Sequence, residues 1–215
     1  MEGLHFIFFA DPMCSWCWGF APVVETLRRR YGDILPMRVV MGGLRPGTDK
    51  PLTDEARAQM RGYWPQVAQL SGQPFDPGVL DAEGFVYDTD PAARAVVLAR
   101  RTSEAAGIDY LLRAQRAFYA ERVNITGADA LADLAAEQGF DRGAFLSGLG
   151  DEGLKQETWR DYAVSQRAGV TGFPTLILGP KADGTYALVT RGYNGPADII
   201  SAIDAMLATA QPATE

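Results

Sequence analysis

Between Leu4 and Phe9 the chain reads LHFIFF, an aromatic and β-branched stretch that stops at Ala10-Asp11-Pro12. This predicts a buried strand ended by a turn. From Trp16 onward the apolar positions Phe20, Val23, Val24 and Leu27 recur at spacings of three and four, the pattern of one helix face. The run ILPMRVVMGG at 34–43 then predicts a second strand closed by two glycines. A strand, a helix and a strand of these lengths favour a parallel pair, so the chain is expected to open β-α-β.

From about residue 50 to 168 strand signals nearly vanish. Leu52, Ala56, Met60, Trp64, Val67 and Leu70 keep helical spacing. Asp90-Pro91 supplies a cap residue and a proline at the first helical position ahead of AARAVVLAR, Asp141 caps RGAFLSGL, and YLLRAQRAFYA adds one more helix. An all-helical insertion is therefore expected at 49–165. After Gly172 the segments PTLILG and YALVTRGY read as an antiparallel hairpin about the turn KADG, and PADIISAIDAML as a closing amphipathic helix. The fold class is α/β, with β-α-β and β-β-α halves at 1–48 and 166–215 on either side of the insertion. No internal repeat is evident, and ATAQPATE at the C-terminus reads as a mobile tail.

Composition changes this picture little. Hydrophobic residues make up 47% of the 215 and charged residues 22%, ordinary values for a globular protein long enough to bury one sizeable core. A net charge of −7 disfavours nonspecific binding to nucleic acid or anionic lipid. The basic run LRRRYG at 27–32 reads as the solvated end of a helix. No stretch approaches the roughly 18 apolar residues that a membrane span needs. The N-terminal segment lacks the basic region and cleavage site of a signal peptide, so the expectation is a cytoplasmic protein that binds neither nucleic acid nor membrane.

The chemistry lies in CSWC at 14–17, which holds the only two cysteines. Four readings compete: a structural disulfide, half of a zinc site, two unrelated buried thiols, and a centre that cycles between dithiol and disulfide. Reducing compartments disfavour the first. Zinc needs about four ligands, and the single histidine, His5, lies in the first predicted strand, where a satisfied ring is the simpler reading. No metal is expected. Two inert thiols leave unexplained why both cysteines meet at a helix start. There Cys14 would face unpaired N–H groups, which favour its thiolate and a pKa below the ~8.5 of free cysteine. Cys17, one turn on, would share its face and could attack a mixed disulfide formed at Cys14. Asp11 serves as a turn carboxylate or as an acceptor for the Cys17 proton, the turn role needing no catalytic reason. Trp16 is expected to be partly exposed, and Trp18 less so.

A strand followed by DPMCSWCWGF opening a helix, with YDTDPAARAVVLAR and a later GVTGFPTLILG, resembles the thioredoxin superfamily. More narrowly it resembles the DsbA-like branch, FrnE-like proteins included, in which a helical domain interrupts the thioredoxin fold. The resemblance implies a cis bond at Phe173-Pro174 and a substrate-binding loop of Thr171, Gly172 and Phe173 whose backbone pairs with an extended substrate, Trp16 adding apolar surface. Phe173 is bulkier than the small or β-branched residue often found there, which bears on substrate preference. Ser15-Trp16 matches neither Gly-Pro nor Pro-His, so neither end of the family's redox range is assigned.

Three functions follow from this reading. The first is a thiol–disulfide oxidoreductase that uses Cys14 and Cys17 on protein or small-molecule partners, with no cofactor beyond glutathione as a redox partner. The second is a glutathione-dependent transferase or isomerase of the kappa-class or 2-hydroxychromene-2-carboxylate isomerase type, families that carry serine at the position of Cys14. The third is a peptide-binding, chaperone-like module. Oligomeric state and the direction of electron flow are not legible.

Overall fold

The computed structural model describes residues 3–32 and 34–210. Strand β1 (His5–Ala10) pairs in parallel with β2 (Met37–Met41) and antiparallel with β3 (Thr175–Gly179). Strand β4 (Ala187–Arg191) continues the hairpin from β3, giving the sheet order β2-β1-β3-β4. β1 is central and almost wholly buried because its apolar run leaves neither face polar. Between β1 and β2 lies the connection that carries the two cysteines.

That connection is two helices rather than one. Helix α1 (Ser15–Gly19) ends at Phe20, and α2 (Ala21–Tyr31) starts afresh. The cause is Pro22, which lacks an N–H and whose ring cannot follow a continuous helical turn. The expected apolar face survives the break: Phe20, Val23, Val24 and Leu27 are all buried against the sheet.

The middle of the chain supplies α3 (Asp54–Ser71), α4 (Asp90–Arg100), α5 (Glu104–Ala120), α6 (Ala128–Glu137), α7 (Arg142–Leu149) and α8 (Glu152–Arg167). A short 3₁₀ turn at Pro77–Asp81 and one isolated bridge between Pro51 and Val86 break the helical run. Caps match the sequence signals in part. The Asp141 carboxylate accepts the Ala144 N–H at 2.7 Å, while at α4 the cap position falls on Thr89 and Asp90 is the first helical residue. Helix α9 (Pro196–Ala210) closes the fold, so Ala208–Ala210 are helical rather than tail; residues 211–215 lie outside the described part.

The insertion joins the sheet at the outer edge of β2. Asp161 of α8 accepts the Met41 N–H at 2.9 Å, Arg100 of α4 donates to the Val39 carbonyl at 2.6 Å, and Glu104 of α5 accepts the Val39 N–H at 3.4 Å. Side chains from three helices thus occupy the positions where a further strand would pair. Among the described residues no helix is long and apolar enough to cross a membrane, and no group of three or more His, Cys, Asp or Glu is placed to hold a metal.

Candidate active site

The strand β1 ends in a turn that sets Cys14 at the mouth of α1. The Cys14 N–H donates to the Asp11 carbonyl at 3.1 Å, and the Asp11 carboxylate accepts the Met13 N–H at 2.9 Å. Cys14 is extended (φ −96°, ψ 115°), which makes its side chain the cap of the helix. Its sulfur accepts the Cys17 N–H at 3.4 Å, where a serine or aspartate oxygen commonly sits. The same thiol donates to the Phe173 carbonyl at 3.7 Å.

The two thiols are free and differ in surroundings. Cys14 keeps 7% of its surface and lines a cleft, whereas Cys17 keeps 1% and does not. Burial pushes the Cys17 thiol well above its ordinary range, and the adjacent Cys14 sulfur and the Asp11 carboxylate push it further. Asp11 itself is fully buried. Burial raises its pKa to about 6, against the lowering influence of hydrogen bonds from Leu44, Met13 and Thr89. At neutral pH it is therefore mainly ionised beside a thiol that holds its proton. The turn role of Asp11 is present: one carboxylate oxygen makes the turn and the other accepts the Leu44 N–H at 2.8 Å, holding the loop after β2.

The wall opposite Cys14 is the segment before β3. The Phe173–Pro174 peptide is cis. Thr171 is exposed, Gly172 and Phe173 are half-buried, and all three line the cleft. Pro174 is buried, does not line the cleft, and accepts the Gly192 N–H at 2.7 Å. The Phe173 ring lies directly on the backbone of Gly42: a Cβ at that position would stand 2.1 Å from Cζ. The first of the two glycines closing β2 thus makes room for the aromatic ring of the loop.

Trp16 is half-buried between two tyrosines. Its indole N–H donates to the Tyr63 hydroxyl of α3, and its ring lies 5.5 Å from that of Tyr193, whose hydroxyl donates to the Leu70 carbonyl at 3.0 Å. Trp18 is core, with its indole N–H on the Pro74 carbonyl at 3.0 Å. His5 is also structural, buried with Nδ1 against the Gly3 carbonyl at 2.8 Å and Nε2 near the Tyr186 hydroxyl at 3.3 Å. Among the residues that sequence reasoning did not single out, Tyr87 matters most. Its hydroxyl donates to the Met13 carbonyl at 2.6 Å and lies 3.3 Å from that of Tyr119. Burial raises the pKa of both phenols, so they stay protonated.

The cleft has a volume of ≈ 660 Å³ and is lined by Cys14, Trp16 and Phe173 together with Met60 and Tyr63 of α3. A cleft-lining thiol beside a more deeply buried one, on a β-α-β start next to a cis-proline loop, defines a site of the thioredoxin class. The chain belongs to the DSBA-like thioredoxin domain family, whose model matches residues 6–190. It is similar to a protein from Nitrosomonas europaea provisionally named a protein disulfide isomerase, with 33% identity and a TM-score of 0.89 over 98% of this chain and 100% of that one. It is also similar to the cytosolic disulfide reductase DsbM from Pseudomonas aeruginosa, with 27% identity and a TM-score of 0.76 over 96% of this chain and 100% of that one. DsbM has been crystallised with glutathione as well. Among curated proteins, the ClpXP adapter protein SpxH of Bacillus subtilis is 24% identical over 193 residues, 86% of this chain. The match spans 64% of the length of SpxH.

Proposed function

We propose that this chain is a thiol–disulfide oxidoreductase in which Cys14 exchanges with the partner and Cys17 resolves the adduct. The observation that carries this reading is the asymmetry of the pair: Cys14 opens to the cleft, and Cys17 lies beneath it next to the buried Asp11 carboxylate. In the reducing direction the Cys14 thiolate attacks one sulfur of a disulfide, forming a mixed disulfide and expelling the first thiolate. Asp11 accepts the Cys17 proton. The Cys17 thiolate then attacks the Cys14 sulfur, forming the Cys14–Cys17 bond and releasing the second thiolate. Two electrons pass from the dithiol to the disulfide, and the two thiol protons leave with the products. A low-molecular-weight thiol such as glutathione, running the exchange backwards in two steps, restores the dithiol.

The backbone of Thr171, Gly172 and Phe173 stands across from Cys14, where an extended substrate segment would pair with it, and Trp16 adds apolar contact. The likeness to DsbM supports the reducing direction and a cytosolic setting. An isomerase has no use for Cys17.

Trapping tests the roles. Cys17→Ser, incubated with oxidised glutathione, should hold a persistent mixed disulfide on Cys14 by mass spectrometry, and Cys14→Ser should not. Equal adducts on both variants would reverse or erase the assignment. Turnover of a chromene carboxylate with glutathione by Cys17→Ser, together with absent disulfide reduction by the unaltered protein, would sink the redox reading.

A further inference from the structure

Among the described residues that line the redox cleft, Arg45 alone carries a charged side chain; Ser15, Gln59, Ser165, Gln166 and Thr171 supply neutral polar groups. A cation in this place is unexpected in a chain of net charge −7. On the flanking helix α3, Arg57 donates to the Leu80 carbonyl and Arg61 pairs with Asp81. Arg45 makes no ion pair among the described residues, and its side chain rests over the Tyr87 ring, with the guanidinium carbon 5.4 Å from the centroid.

Its backbone is held on both sides. The Arg45 N–H donates to the Thr89 hydroxyl at 3.1 Å, and its carbonyl accepts the Thr89 N–H at 3.3 Å. The neighbouring Leu44 N–H is fixed on Asp11, and the Gly47 N–H on Asp88 at 2.9 Å. The Tyr87 ring beneath the guanidinium is the one whose hydroxyl holds the Met13 carbonyl, next to Cys14. One aromatic side chain therefore sets the position of the cation relative to the nucleophile.

We infer that Arg45 is a specificity-determining residue that receives a carboxylate of a small thiol or disulfide whose sulfur is presented to Cys14. This inference rests on the proposed redox function. A guanidinium presents a planar fork that matches a carboxylate with two parallel hydrogen bonds. The cleft volume of ≈ 660 Å³ lies in the range of small-molecule sites.

The test compares second-order rate constants of the reduced protein with oxidised glutathione, which is anionic, and with hydroxyethyl disulfide, which is uncharged. The ratio of the two constants cancels any general loss of active protein. It should fall about tenfold in Arg45→Met and less in Arg45→Lys, with the fall shrinking at high salt. Calorimetric binding of S-methylglutathione, which cannot exchange, should weaken by a similar factor in Arg45→Met. An unchanged ratio with unchanged binding overturns the role of Arg45 while leaving the redox reading intact. A ratio that falls equally for a peptide disulfide flanked by acidic residues overturns the restriction to small ligands. Arg45-dependent binding by a protein that reduces neither disulfide keeps the anion site and sinks the redox function.

Discussion

At the scale of single residues, Asp11 links stability to chemistry. Its carboxyl has a folded-state pKa of about 6, raised by burial from 3.8 in the unfolded chain. Between those values the folded protein holds a proton that the unfolded chain has lost, so stability falls as pH rises through this window. The shift corresponds to ~3 kcal/mol, fully present below pH 4 and gone well above pH 6. Chemical denaturation of the reduced protein should therefore show Asp11→Asn losing about 2–3 kcal/mol less than the unaltered protein between pH 4 and pH 8. Parallel pH profiles for the two would contradict the buried, raised carboxyl. If Asp11 accepts the Cys17 proton as proposed, the same variant should resolve the mixed disulfide more slowly at neutral pH. Sequence reasoning reached Cys14, Cys17 and the Asp11 turn because they are local, set by spacing and by Asp-Pro. It saw only half of Asp11, since the groups that bury and bond it, Leu44 and Thr89, arrive from 33 and 78 residues away, on the loop after β2 and at the cap of α4. Arg45 was invisible for the same reason, and Tyr87, although it opens the segment YDTDPAARAVVLAR, carries no local sign that it meets Arg45 at the cleft.

At the scale of elements, the end of β2 and the loop before β3 are coupled through one aromatic contact. Gly42 leaves the space that the Phe173 ring fills. Gly42→Ala should force the ring and its carbonyl away from Cys14, costing about 1–3 kcal/mol of stability and slowing disulfide reduction. Phe173→Ala should relieve most of that cost. In a double-mutant cycle the pair should show a coupling of ~1 kcal/mol or more, and additive effects would show that the ring does not depend on the glycine. The two glycines were legible only as the end of a strand, since nothing local says that an aromatic from residue 173 lies on them. Most helices were read where a cap or an apolar face marks them; α6 was not singled out although Leu131, Ala132, Leu134 and Ala135 form its buried face. Helix α8 was not singled out because its buried face includes Thr158, Asp161 and Ser165 beside Leu154 and Tyr162, which mutes the hydrophobic period. The break between α1 and α2 had a visible signal in Pro22, outweighed by the apolar face that runs across it.

At the scale of the whole molecule, the insertion is built into the sheet rather than resting on it. Asp161 joins three elements: its carboxylate accepts two hydrogen bonds from Arg100, at 2.7 and 3.1 Å, and one from the Met41 N–H. Arg100 reaches on to the Val39 carbonyl, so the outer edge of β2 is satisfied by helices α4 and α8 together. Both charged groups are mostly buried, with side chains 14% and 12% exposed, and removing Asp161 leaves Arg100 with only the longer pair to Glu157 at 3.8 Å. Asp161→Ala should therefore cost about 3 kcal/mol, more than loss of the exposed, solvent-screened pair Arg30–Asp204. The consequence reaches the active site, because Met41 directly precedes Gly42, on which Phe173 lies. If helices and sheet form one cooperative unit, native-state hydrogen exchange should show the Met41 amide and the amides of α4 and α8 opening with the same free energy in the unaltered protein. In Asp161→Ala the Met41 amide should open first, and the rate of disulfide reduction should fall with it. Separate opening of the insertion and of β2 in the unaltered protein would show instead that the two halves are stable independently, and that the Asp161 network positions the cleft without tying the fold together.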